Sequence, residues 1–138
     1  MKKTLFLLCL FFLACSDKSE PIVEEINKVP PELIGKWKIV EIYETDGGSL
    51  PSWRTYNSGN EYHVWFKFNN KYEKSGGALT CLTGNYTILD NNYLRYNSVC
   101  GGEQEVYIEL LKKDSLIIDL KIFEAHKLRY IKISSEGE

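Results

Sequence analysis

From Lys36 to Ile133 apolar residues recur at every second position, and no stretch of this region keeps the 3.6-residue spacing of an amphipathic helix. This alternation constrains the chain more than any other feature. A period of two places successive side chains on opposite faces of an extended backbone, so each run must lie in a sheet with one face covered. Strands are expected at residues 36–43, 61–68, 71–75, 84–89, 93–97, 104–111, 115–122 and 127–133. Turn signals at Asn69-Asn70, Asp90-Asn91-Asn92 and Lys113-Asp114 separate them. The inward sets read as Trp37 and Ile39; Tyr62, Val64, Phe66 and Phe68, with His63, Trp65 and Lys67 outward; Val106, Ile108 and Leu110; Leu116, Ile118, Leu120 and Ile122; and Leu128, Tyr130 and Lys132, with Arg129 outward. Eight short strands joined mostly by tight turns predict an all-β fold, an eight-stranded antiparallel up-and-down barrel, because closure removes the exposed edges of an open sheet. A sandwich needs longer crossing connections. The one long connection, residues 44–60, carries Trp53 and Tyr56, and loops of that length are uncommon and often functional.

The N-terminus sets the compartment. Lys2 and Lys3 precede an almost wholly apolar run, Thr4 to Ala14, which as a helix is roughly 16 Å long, about half a bilayer core. That is the length of a signal-peptide apolar region rather than of a membrane span. Phe12-Leu13-Ala14-Cys15 resembles the lipobox of bacterial lipoproteins. The resemblance implies cleavage before Cys15 and lipidation of its thiol by palmitate-type acyl chains. It also implies a cell-envelope address, with Ser16 after the anchor favouring the outer membrane, on its periplasmic or its cell-surface face. Several acyl chains hold firmly, since each buried methylene contributes about 0.8 kcal/mol. The expected organisation is a signal peptide at 1–14, a lipidated flexible tether at 15–31 that is polar and contains Pro21, Pro30 and Pro31, a domain at 32–134, and a disordered tail at 135–138.

Of the four cysteines, Cys9 leaves with the signal peptide and Cys15 takes the lipid. Cys81 and Cys100 then remain as an even pair in an oxidising compartment, which predicts a disulfide. The hairpin between them supports this. A two-residue turn at Asp90-Asn91 places the cysteines directly opposite each other, and a three-residue turn displaces them by one position; both leave them adjacent. Two cysteines do not make a four-ligand metal site, and His63 and His126 lack ligand spacing, so no metal is expected.

Processing leaves 15 basic against 19 acidic residues, a net charge of −4, and no basic stripe, which argues against a nucleic-acid partner. No serine or cysteine sits in a nucleophile elbow, and Asp119 and Glu124 read as charges on a solvated strand face and a turn. The expectation is a non-enzyme without a cofactor, a monomer whose membrane partner is reached through its lipid.

Gly35-Lys36-Trp37 at the head of the first strand, with Phe66-Lys67-Phe68 and Tyr130-Ile131-Lys132-Ile133, resembles the lipocalin-like domains of Bacteroidetes lipoproteins over residues 32–133. The resemblance implies a barrel in which Gly35 turns the chain tightly and Trp37 plugs the closed end, with Lys132 laid across the indole as a cation–π lid. It implies a binding protein for a small apolar ligand, whose candidate ligand-facing residues are Tyr62, Val64, Phe66, Tyr72, Tyr86 and Tyr96, with Trp53 and Tyr56 at the open end. Eight-stranded barrels are just wide enough for side chains or for one small ligand, and both interiors remain open at this point. The alternative function is a protein-binding lipoprotein, such as an inhibitor of lysozyme or another envelope hydrolase, with a filled barrel and a projecting 44–60 loop.

Overall fold

Closure of the sheet is what the alternation produces. A computed structural model describes residues 29–45, 48–76, 81–122 and 126–137. Its strands are β1 (Gly35–Glu44), β2 (Ser52–Thr55), β3 (Val64–Phe66), β4 (Lys71–Lys74), β5 (Thr83–Ile88), β6 (Tyr93–Ser98), β7 (Glu103–Lys112), β8 (Ser115–Asp119) and β9 (Lys127–Ser134). Neighbours pair antiparallel in the order β1-β3-β4-β5-β6-β7-β8-β9, and β9 returns to pair with β1 along nearly its whole length. Eight strands therefore form a closed up-and-down barrel. Among the described residues the sole helical element is a single 3₁₀ turn, Asp90–Asn92.

β2 is the ninth strand, and it corrects the reading of 44–60 as loop throughout. The ten-residue β1 pairs with β3 only over Gly35–Trp37, which leaves Glu41–Glu44 without a partner on that edge. Trp53 and its neighbours fill the edge, with Tyr43 opposite Trp53. An unpaired backbone edge is costly to leave open, and a short strand from the following loop closes it locally.

Several inward assignments change because the ladders slip. β7 and β8 shift register between Ile108 and Leu110, so Leu111, not Leu110, lies opposite Leu116 and packs on the core. A bulge inserts one residue and reverses every later side chain. β3 is shorter than the expected 61–68, and Phe68 beyond it is 69% exposed. β8 ends at Asp119, leaving Ile122 56% exposed rather than inside. Residues 135–137, expected as disordered tail, are seated on the barrel. Gly137 is buried against Ile34 and the Phe68 ring, the Phe68 N–H donates to the Gly137 carbonyl at 3.2 Å, and the outward Trp65 donates Nε1–H to the Glu136 carbonyl at 2.8 Å.

The closed end is built around Trp37, which has no exposed surface. Leu33 and Ile34, held in a turn by bonds from their N–H groups to the Pro30 and Pro31 carbonyls, pass beneath it. The indole Nε1–H donates to the Leu33 carbonyl at 2.7 Å. Lys132 Nζ lies 4.8 Å from the indole centroid and donates to the carbonyls of Glu32 (2.5 Å) and Ile34 (2.9 Å). Gly35 has φ +127°, and a Cβ there would collide with the Ser134 carbonyl, so a side chain is excluded on both counts. Above Trp37 the core is Val64, Phe66, Tyr72, Tyr86, Leu94, Tyr96, Val106, Ile108, Leu116, Ile118 and Tyr130, all buried.

Candidate functional site

Chain direction assigns the loops. β1 runs from the Trp37 plug toward the other end, so the last residues of β1, β4, β6 and β8 and the first residues of β3, β5, β7 and β9 all lie at the end opposite Trp37. Two of these strand ends are tied together: Cys81, before β5, is bonded to Cys100, after β6, with Cα atoms 5.7 Å apart. β5 and β6 pair with Gly84 opposite Ser98, so the turn at Asp90–Asn92 is the three-residue one and the cysteines stand one place out of register. The bridge bypasses the ladder and fixes the rim.

Within that rim lies a recess of about 260 Å³. One side is apolar: Ile39, Val106, Ile118, Leu120 and Leu128. The other carries Lys74, Ser75, Gln104 and His63, and Val64, Tyr96 and Tyr130 also line it. Below, an aromatic cluster fills the barrel. Phe66 meets Tyr86 edge-on with centroids 5.0 Å apart, Tyr72 meets Tyr96 edge-on at 5.0 Å, and Phe66 stacks with Tyr96 at 6.1 Å. Tyr86 donates its O–H to the Lys67 carbonyl at 2.9 Å, so the deepest phenol has its polar end satisfied. Its burial pushes the phenol pKa far up, which keeps it a neutral donor. The barrel is thus filled at its base and hollow at its mouth.

Of the candidate ligand-facing residues, Val64 and Tyr96 line the recess, while Phe66, Tyr72 and Tyr86 lie in the packing beneath it. Three others are elsewhere. Tyr62 lies on the outer wall, where its O–H donates to Glu73 at 2.8 Å and Lys36 Nζ stands 5.7 Å from its ring. Burial and the Glu73 carboxylate raise its pKa to about 12. Trp53 packs on Tyr43 (5.2 Å) and under Arg129 (4.3 Å), which is paired with Glu41 on the outer face. Tyr56 is exposed, with its ring 5.7 Å from that of His63. All three follow from one cause: β3 pairs with β1 only as far as Val64, and residues 52–62 run along the outside, with β2 serving the β1 edge.

His63, expected on the outer face, instead lines the recess, and the sequence reading missed it. With the ladder interrupted, the Ile39 N–H has no strand partner and donates to His63 Nδ1 at 3.0 Å, while His63 Nε2 is 2.7 Å from Ser58 Oγ. The imidazole stands in for a missing backbone carbonyl. Desolvation, and then the charge of Lys38, lower its pKa, so the ring is held neutral as an acceptor. Lys74 was also passed over, although its place on a face with Tyr72 was the available signal. Its Nζ is 4.5 Å from the Tyr96 centroid and 5.5 Å from that of Tyr72.

The solved structure of a lipocalin-like protein from Bacteroides uniformis ATCC 8492 is similar in fold, with 18% sequence identity and a TM-score of 0.51, over 74% of this chain and 99% of that one. The architecture is therefore that of a lipocalin-like barrel. No family model and no curated protein matches the sequence.

Proposed function

We propose that this lipocalin-like barrel is a non-catalytic, lipid-anchored binding protein of the bacterial cell envelope that takes a small apolar ligand in its mouth. The observation that carries the reading is the recess: an aliphatic wall, a rim tied by a disulfide, and an aromatic floor that stops a ligand from passing deeper. At about 260 Å³ it falls just under the ~300–1,000 Å³ of ordinary small-molecule pockets, so the ligand is small. The inhibitor alternative has less support, because β2 ties part of the 44–60 connection to the wall instead of leaving it free to enter a partner's cleft.

The anchor is Cys15, outside the described residues, as is the tether up to residue 28. Val29–Ile34 join the barrel at its closed end, so attachment upstream leaves the mouth at the opposite end, open to its surroundings. The proposed location is the outer membrane. Native mass spectrometry of the membrane-extracted protein tests the binding reading through a co-purifying apolar adduct. Cys15→Ser tests the anchor: the protein should leave the membrane fraction and lose incorporation of a fatty-acid analogue. Continued labelling of the variant would put the anchor elsewhere.

A further inference from the structure

Positions that face the inside of this barrel carry apolar or aromatic side chains almost throughout, and Lys74 breaks the rule. It follows Tyr72 by two residues in β4, on the same face, and its ammonium stands at the mouth over Tyr96. On the outer wall several cations meet carboxylates: Lys36 with Glu136, Lys67 with Glu73, Arg95 with Glu103 and Glu105, Lys127 with Glu109, and Arg129 with Glu41. Lys74 has no such partner among the described residues, only the two aromatic faces. Glu103, which shares an adjoining recess with Lys74, is held by Arg95 at 2.5 Å. Burial lowers the Lys74 pKa, as expected for a cation that has lost water without gaining an anion. Gln104, opposite Tyr96 across the β6–β7 ladder, brings a second hydrogen-bonding group to the same side of the mouth. Ile39, Leu120 and Leu128 form the apolar side.

We infer that the ligand of this mouth is a small amphipathic anion, its single negative head paired with the Lys74 ammonium and its short apolar tail lying on Ile39, Leu120 and Leu128. The inference rests on the apolar-ligand reading above and adds the head group to it. At ~30 Å³ for each water-sized group, the recess holds about nine such groups. That fits a medium-chain carboxylate and is too small for a long-chain one to enter fully. An ammonium over aromatic faces is pre-positioned and partly desolvated, so an incoming anion meets a charge whose dehydration has already taken place in folding.

The test uses the mature chain carrying Cys15→Ser, which keeps every residue of the domain and removes the protein's own acyl chains as competitors. Octanoate, octanol and octylamine, equal in tail and different in head, are titrated calorimetrically. Octanoate should bind about tenfold or more tighter than octanol, with octylamine weakest. Lys74→Met should abolish the octanoate preference, bringing octanoate to the level of octanol, and Lys74→Arg should retain the preference, with thermal unfolding of each variant confirming that it is folded. Equal binding of octanoate and octanol, or a preference for octylamine, overturns the anionic head, and a preference that survives Lys74→Met overturns its pairing with Lys74; each leaves the apolar-ligand reading standing. Binding of none of the three overturns both.

Discussion

Replacement of Lys132 by Met probes how the closed end is held. Met keeps much of the length and packing of the lysine stem, so the loss comes from the ammonium alone. The cation–π contact with Trp37, at 4.8 Å and partly shielded, is worth about 1 kcal/mol. Each bond from the ammonium to the Glu32 and Ile34 carbonyls is worth about 1.5 kcal/mol, but exposed Glu32 can exchange its bond for water, so about one of the two counts in full. Desolvation works the other way, and it is the main cause that lowers the Lys132 pKa. The expected net cost is about 2 kcal/mol, roughly twice that of a cation–π lid alone. In urea, with a slope of about 1.5 kcal/mol per molar, the midpoint should fall by about 1.3 M. A cycle with Trp37→Phe isolates the ring contact and should return a coupling of about 0.5–1 kcal/mol. Trp37→Ala should cost more, about 3–5 kcal/mol, because it opens a cavity in the fully buried floor. Should Lys132→Met move the midpoint by less than about 0.3 M, desolvation cancels the ammonium's contacts and Lys132 does not clamp the N-terminal turn.

Two further outcomes follow from the rim and the interrupted ladder. Replacing Cys81 and Cys100 together by Ala should lower stability by about 2–4 kcal/mol without changing the fold, since the bridge closes a loop of sequence separation 19. Alkylation without reductant followed by intact-mass measurement should find neither thiol reactive, and two modified thiols would refute the bridge. His63 has a folded-state pKa below its unfolded value of 6.5, so the unfolded chain takes up the proton first. The stability that neutral His63 contributes is full above about pH 6.5 and is lost as pH falls from there toward the folded pKa. Urea midpoints between pH 7.5 and 5.5 should decline in the wild type and decline less in His63→Gln, whose side-chain oxygen can still accept from Ile39; equal declines would show that His63 is not the titrating group.

What the sequence determined by itself was local and periodic. Alternation with period two, broken by Asn69-Asn70, Asp90-Asn91-Asn92 and Lys113-Asp114, required short antiparallel strands, and strands of that length on short turns required closure. The Gly35-Lys36-Trp37 segment pointed to the closed end through its resemblance to the opening of lipocalin-like domains, and the structure places Gly35 at φ +127° against the Ser134 carbonyl with Trp37 fully buried two residues on. The cysteine pair was readable because the hairpin between them leaves both ends together for either turn length.

Tertiary structure alone decided which side of the wall each residue near the mouth would occupy. Alternation is a parity, and one inserted or unpaired residue reverses it for everything beyond. The slip between Ile108 and Leu110 exchanged Leu110 for Leu111, and the end of the β1–β3 ladder at Val64 put Tyr62 outside and His63 inside. Trp53 reached the outer face because the unpaired edge of β1 needed a strand, a demand set by partners distant in the sequence. Backbone groups must be paired wherever the strands meet, and side chains follow. The mouth, where ladders begin and end, is therefore where periodicity lost its hold and where the packing of the closed barrel placed His63.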